Sequence, residues 1–254
     1  MILGRTVNYR RIRNAVAAHR ARAVWTPAAL FAQGQQGVWY EPKPEYLFQD
    51  AAGTIPVTAD GDPVGRMLDL SPNGNHAKQE TSAARPVYRT NGTLHWLQFD
   101  GVDDRLIVSL WAGGDIPQPT TQSWALEIKS RRTGIIVSSP NTSKRHQIGQ
   151  ADAGDEVRIF AGSELRGSAV SPPLPASIYR AVVNGTASQL WHQGALAIQG
   201  NAGDMVSSGL VLGATLSGAA PSLFDMYGGV FVSGMPSEID KAEQYLAKLA
   251  GVTL

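Results

Sequence analysis

The sequence predicts an all-β protein: two antiparallel sheets packed as a sandwich, closed by a C-terminal helix and preceded by an N-terminal helical arm. Three observations carry this. Short runs of alternating apolar and polar residues recur along the chain, separated by Asn-Gly, Asp-Gly and Gln-Gly pairs that favour tight turns. Glycine and proline are plentiful (27 and 15) and charged residues make up only 17% of the chain, as expected where many turns join buried strands. Helical periodicity is confined to the two ends.

Residues 1–35 contain Arg5, Arg10, Arg11, Arg13, Arg20 and Arg22 and no acid. Ile12, Ala15, Val16, His19 and Ala23 share one side of a helical wheel and Arg10, Arg13 and Arg20 another, so a short amphipathic helix is expected. Thr26-Pro27 breaks it, and Pro27 opens a further turn through Leu30 and Phe31. A helix this short is unstable alone. It packs against its own domain, or docks on a neighbouring subunit through Arg10, Arg11, Ile12, Arg13, Val16 and Arg20, or meets nucleic acid. The last is disfavoured, because no Phe, Tyr or Trp lies between Arg10 and Arg22 to stack on bases.

The remainder, residues 36–254, reads as one sandwich. Val38-Trp39-Tyr40 is a strand, and Pro42 and Pro44 enforce an extended path after it. Residues 47–88 form a meander punctuated by glycine and proline. Leu94 to Val108, LHWLQFDGVDDRLIV, then reads as strand, tight turn, strand. Leu94, Trp96 and Gln98 lie on one face and His95, Leu97 and Phe99 on the other, with Asp100-Gly101 as the turn and a hinge of the sandwich. Further strands are expected at 123–129, 135–137, 157–160, 179–183, 189–192, 195–198, 210–213 and 226–232. The closing helix has Ser237 as its expected N-cap, Glu238 and Asp240 in its first turn, and an apolar face of Ile239, Ala242, Tyr245, Leu246 and Leu249. Gly251 stops it.

At 254 residues the chain can bury a sizeable core without staples. It has no cysteine, so disulfides, thiolate metal sites and cysteine nucleophiles are excluded. A net charge of +1 supplies no global basic field for nucleic acid. No stretch approaches the roughly 20 apolar residues that span a bilayer, so no membrane insertion is expected. The opening MILGRTVNYRRIRN lacks the apolar run of a secretory signal, which implies a protein used where it is made or released by lysis.

Several phrases, in order, resemble the concanavalin A-like, laminin-G-like jelly-roll domains of bacteriophage virion proteins. Leu47 to Tyr88 is similar to the segment preceding the sandwich in those proteins, with Asp69, the Gly74-Asn75-His76-Ala77 run and Arg85-Pro86 as its characteristic parts. LQFDGVDDRL resembles the family's strand–turn–strand, and SIYRAVVNGTASQLWHQGALAI its paired hairpin strands. MYGGVFVSGMPSEIDKAEQYLAKLAGV resembles the closing strand and terminal helix. The resemblance covers residues 36–254 and implies a two-sheet antiparallel jelly-roll sandwich of the concanavalin A-like lectin/glucanase type. It does not imply an activity, because this fold hosts lectins, hydrolases and inert decorations alike.

The usual enzyme motifs are missing: no Gly-x-Ser-x-Gly, phosphate-binding glycine-lysine loop or His-Glu-x-x-His. Glycosidases of this fold class place spaced acids on one strand, whereas the strand around Trp124 carries only Glu127, and the adjacent Asp155 and Glu156 point to opposite faces. The chain is therefore expected not to be an enzyme. Asp100, Asp103 and Asp104 are weak calcium candidates, as are Asp60 with Asp62 and Asp152 with Asp155 and Glu156. The alternative is that these acids cap their own turns. No other cofactor is expected. Of the scattered histidines, His76 is expected to hydrogen-bond within the meander. Trp96 and Trp124 read as core and Trp39 as packing where the arm meets the sandwich. Trp111, in a glycine- and proline-rich loop, and Trp191, in a hairpin, are the candidates for exposure. An exposed aromatic beside polar loop residues can stack on a sugar ring, so the candidate carbohydrate site joins Trp111 and Trp191 to Asn141, Lys144, Arg145 and His146. Burial of both tryptophans is the competing reading.

The expected function is that of a structural protein of a bacteriophage virion, tail, baseplate or fibre-associated and synthesised in the bacterial host cytoplasm. The arm would dock it to other virion proteins, homo-oligomeric with a trimer as one form, and the sandwich would bind host-surface glycan. The alternatives are a capsid decoration without ligand, and a free carbohydrate-binding module or glycan hydrolase.

Overall fold

The period-two patterning becomes two antiparallel sheets whose facing sides share one core. The computed structural model describes residues 24–129, 133–150, 156–167 and 173–254, so Arg10, Arg11, Ile12, Arg13, Val16 and Arg20 lie outside the described residues, as do Asp152 and Asp155. With strands numbered along the chain, the first sheet runs β15 (Ala195–Gly200), β14 (Ser188–His192), β13 (Leu174–Val183), β8 (Thr120–Ile128), β17 (Leu223–Ser233), β6 (His95–Asp100) and β5 (Val87–Thr90). β1 (Gly37–Tyr40) pairs with the second half of β17, beyond the reach of β6. The second sheet runs β12 (Glu164–Arg166), β11 (Val157–Phe160), β10 (Gln147–Gln150), β9 (Gly134–Ser138), β16 (Leu210–Leu212), β7 (Leu106–Val108), β4 (Ala77–Lys78), β3 (Arg66–Met67) and β2 (Leu47–Phe48).

β17 is the spine of the first sheet, and nine of its eleven residues are buried. Its Phe224 stacks on Phe99 of β6 with ring centroids 4.4 Å apart, one of the offset aromatic contacts that fill the space between the sheets. Opposite Trp124, β17 carries Gly229, where a Cβ would fall 1.9 Å from the indole ring. Only glycine lets that tryptophan lie flat in the core.

The Asp100-Gly101 turn does not close a hairpin. β6 belongs to the first sheet and β7 to the second, so the turn is a corner that carries the chain across the sandwich. Gly101 has φ +73°, the left-handed conformation the Asp-Gly pair predicts. Leu97 and Phe99 enter the core as expected. Trp96, expected in that core, faces the other way and packs on Tyr227 with centroids 5.7 Å apart.

A second apolar layer covers the outer face of the first sheet. Here Ala242, Leu246 and Ala247 of helix α1 (Ile239–Leu249) bury against Ala125, Ile178, Val230 and Val232, and Leu30 and Phe31 of the short 3-10 turn Pro27–Phe31 join them beside Trp39. Burying each such leucine or phenylalanine contributes about 1.5–3 kcal/mol. Arg180 pins the helix to the sheet, with Nη1 2.7 Å from Asp240 and Nε 3.4 Å from the buried Glu243. The expected cap is corrected: Glu238, not Ser237, precedes the helix and makes no side-chain cap bond. Its carboxylate is taken by Lys241 and by the Trp25 indole. Gly251, φ +66°, ends the helix as predicted.

Candidate functional site

Among the described residues no helix lies across the outer face of the second sheet, and a wide cleft opens there. In the β3–β4–β7 ladder Met67 lies opposite Ala77, Arg66 opposite Lys78, and Lys78 opposite Ile107. Met67, Ala77, Leu106 and Val108 are buried in the core. Alternation therefore turns Arg66, Lys78 and Ile107 outward as one row. The row floors a cleft of about 690 Å³, walled by residues 74–76 and 79–81 on one side and by Ser109, Leu110 and Ala112 on the other, with Arg105 and Leu216 completing the rim.

The walls are held by hydrogen bonds from the meander. Buried Asp69 accepts the amides of Trp39, Ser71 and Asn75, each at 2.9 Å. Its own amide donates to His76 Nδ1 at 3.0 Å, which fixes the imidazole orientation and leaves Nε2 to carry the proton. Burial, reinforced by the nearby Arg66, lowers the proton affinity of His76, so the neutral ring is favoured. Asn75 ties the far wall in by accepting the Ala112 amide at 2.8 Å. Arg85 donates to the carbonyls of Gln79 and Glu80, and the Gln79 amide nitrogen to the carbonyl of Arg105. Four residues characteristic of the 47–88 segment, Asp69, Asn75, His76 and Arg85, thus hold the walls of this cleft.

Its charge is one-sided. Arg66, Lys78 and Arg105 face a single acid in the lining, Glu80, and none of the three cations makes an ion pair among the described residues. Arg66 Nη1 donates to the Ala52 carbonyl at 2.9 Å and Arg105 Nη1 to the Asp103 carbonyl at 3.0 Å. Both Nε–H groups are buried with no hydrogen-bond partner. Sequence reasoning missed all three cations. The available signal was that each stands one residue from a core position in a short strand, at Arg66-Met67, Ala77-Lys78 and Arg105-Leu106.

The residues singled out for carbohydrate do not converge. Trp111 is corrected from exposed to buried: its Nε1 donates to Ser207 Oγ at 3.1 Å and its ring lies 5.1 Å from Phe231. His146 is also buried, held between Thr120 Oγ1 at 2.9 Å and the Met205 carbonyl at 2.7 Å, and burial pushes its pKa down to about 4. Their loops are rich in turn residues, but the rings fold inward to fill the end of the core. Asn141 caps its own turn through the Ser143 amide, and Lys144 pairs with Asp115 at 2.6 Å. Arg145 lies over Phe160, 4.5 Å from the ring centroid, beside a cavity of about 240 Å³. Trp191 is half-buried on the other sheet, with Arg180 4.4 Å above its ring.

The carboxyl groups of Asp100, Asp103 and Asp104 come within 4.8 Å of one another. Asp100 Oδ1 accepts the Val102 amide at 2.8 Å and Asp104 Oδ2 the Asp100 amide at 2.9 Å, so two of the three cap the corner. Burial, reinforced by the neighbouring acids, pushes Asp104 up to about 7. Asp62 caps the Thr58 and Ala59 amides, while Asp60 pairs with Arg89 at 3.2 Å. One pair of acids escaped the sequence search, because its members stand on different strands. Glu127 of β8 is directly opposite Asp225 of β17. Asp225 is buried, pairs with Lys129 at 2.6 Å and keeps Oδ1 without a partner, while Glu127 accepts from the Tyr227 hydroxyl at 3.3 Å.

No protein family matches the chain, and no curated protein sequence matches it. Solved structures do. An arabinofuranosidase complexed with arabinofuranosyl-alpha-1,2-xylobiose superposes with TM-score 0.57 at 12% identity, over 89% of this chain and 65% of that one. A Trypanosoma rangeli sialidase gives 0.54 at 13% identity, over 96% and 39%. The ligand binding domain of botulinum neurotoxin serotype D, in complex with N-acetylneuraminic acid, gives 0.52 at 13% identity, over 70% and 47%. The likeness is one of fold: an antiparallel β-sandwich that occurs in glycan-binding and glycan-active proteins. This chain spans less than two thirds of the length of each. The comparison corrects the expectation that the chain is not an enzyme, since structures sharing its fold include glycosidases. These likenesses carry no bacteriophage component.

Proposed function

We propose that this chain is a glycan-binding sandwich of a bacteriophage virion, tail, baseplate or fibre-associated, docked by its N-terminal arm and presenting the Arg66–Lys78–Ile107 cleft to host-surface saccharide. The observation that carries it is the cleft, whose volume of about 690 Å³ and mixed polar and aliphatic lining suit a small ligand. Saccharides named with structures of this fold, arabinofuranosyl-xylobiose and N-acetylneuraminic acid, support that ligand class. The virion setting is supported by the resemblance across residues 36–254 and by the use of its marker residues, Asp69, Asn75, His76 and Arg85, to build the cleft walls.

A glycan array probed with the full chain tests the binding. Signal that disappears when the cleft residue Lys78 is replaced supports it, and an array without signal overturns it. Incubating the bound glycan with the protein and assaying for new reducing ends reads out cleavage. Deletion of residues 1–23, which keeps Leu30 and Phe31 in the apolar layer over the first sheet, tests the docking: particles should lose the truncated protein while the sandwich still folds, and unchanged incorporation would overturn the arm's role.

A further inference from the structure

We infer that the cleft takes an anionic saccharide, one carrying a carboxylate or a sulfate, held by Arg66, Lys78 and Arg105. The inference rests on the glycan-binding reading and adds the ligand's charge. Its starting point is an arrangement that folding alone disfavours. Arg66 and Lys78 are direct partners in the antiparallel β3–β4 pair, on the outward face, where opposed side chains stand about 5 Å apart at Cβ. Like charges in that relation destabilise a sheet. Several cations elsewhere are neutralised: Lys129 has Asp225, Lys144 has Asp115, Arg158 has Glu164 and Arg180 has Asp240. This pair makes no ion pair among the described residues, and Arg105 adds a third cation to a cleft lined by a single acid, Glu80.

The guanidinium groups are also pre-oriented. One Nη of each is anchored on a backbone carbonyl, at Ala52 and at Asp103, and each buried Nε–H is unpartnered. An anion with several acceptor oxygens would relieve the Arg66–Lys78 repulsion and gain the short, directional contacts that arginine makes with planar or tetrahedral oxyanions. Ile107, Leu110 and Leu216 give the non-polar side of a sugar ring a surface to lie on. Nucleic acid fits less well, because no Phe, Tyr or Trp lines the cleft to stack a base.

The experiment compares matched saccharides on the full chain: sialyllactose against lactose for carboxylate, and sulfated against unsulfated galactose oligomers for sulfate, each at low and high salt. The anionic member should bind about tenfold tighter or better at low salt, since a hydrogen bond to a charged group is worth at least that factor, and its advantage should shrink as salt screens it. Whichever arm responds identifies the group. Lys78→Glu should lower anionic binding about tenfold or more and raise Tm, because it turns the repulsive pair into an attractive one. Lys78→Ala should do both to a smaller extent. Equal binding of charged and neutral members, or Lys78→Glu binding like wild type, overturns the inference and leaves the glycan-binding reading standing. No binding of any saccharide overturns both. Tighter binding of a single-stranded oligonucleotide than of every saccharide assigns the cleft to nucleic acid and also overturns it.

Discussion

Asp104 offers the sharpest test of the corner that joins the two sheets. Its carboxyl is buried beside Asp100 and Asp103, and its pKa rises from an ordinary 3.8 to about 7. Below pH 4 the folded and unfolded chains both hold the proton and nothing is lost. Between pH 4 and 7 the unfolded chain releases it while the folded chain keeps it. Stability therefore falls as pH rises across that interval and levels off above it. At about 1.36 kcal/mol per pH unit the interval is worth about 4 kcal/mol as an upper bound. Relaxation and water at the corner reduce this to about 2 kcal/mol, or roughly 4–8 °C in Tm for a chain of this size. Asp104→Asn keeps an acceptor for the Asp100 amide and removes the charge. The variant should match wild type near pH 4 and exceed it by that amount at pH 8. Urea unfolding of both proteins at the two pH values measures it. Taking the difference between variant and wild type cancels His146, whose lowered pKa acts with the opposite sign by costing stability as pH falls below 6.5. Equal stability at pH 8, or a variant weaker than wild type there, would refute the account of the corner.

Four further substitutions probe the packing. Gly229→Ala should cost about 3 kcal/mol, because its Cβ would overlap the Trp124 ring and β17 cannot move without breaking two ladders. Pairing it with Trp124→Leu should cost less than the sum of the single changes, as measured by chemical unfolding. Trp111→Ala should destabilise the whole domain by about 3–5 kcal/mol, the cost of emptying a core tryptophan site. Loss of glycan signal without loss of stability would restore Trp111 to the binding surface. Arg180→Ala leaves Glu243 buried without its cation and should cost about 3 kcal/mol, with amide exchange rising first in α1.

How much of this was legible in the sequence depends on what each signal is made of. Strands that alternate apolar residues with polar ones, such as β6 and β8, stand out, and so does α1 with its apolar face and its Gly251 stop. β10 does not: its sequence is Gln-Ile-Gly-Gln, all four residues are buried, and the glutamines give no period-two hydrophobic contrast. β3 and β4 are two residues each, too short for any period. The aromatic rings at 111 and 146 misled because local composition describes the backbone, which does turn there, and not the direction of the side chain. The cleft was hidden for a related reason. Arg66, Lys78 and Arg105 are far apart in the chain, and only the pairing of three short strands sets them side by side.

The two outer faces of the sandwich show why the cleft sits where it does. The first sheet's long strands carry apolar residues on both sides, Ala125 and Val230 outward as well as Trp124 and Phe231 inward, so that sheet needs α1 over it. The second sheet thins to two- and three-residue strands at one edge, where the corner after Asp100 delivers β7 and the meander delivers β3 and β4. Strands that short bury few side chains, so their stability comes from hydrogen bonds supplied by neighbouring loops: the Asp69 cluster, the Arg85 and Gln79 bonds, and the Asp104 cap. A repulsive pair of cations is tolerated on such an edge because polar loops, more than sheet packing, hold it in place. The corner and the cleft are therefore one construction: Asp104 caps the turn that presents Arg105. Ionising Asp104 should loosen the turn and weaken anion binding between pH 5 and 8. Asp104→Asn should bind with the same affinity at both pH values, and an affinity in wild type that does not change with pH would separate the corner from the site.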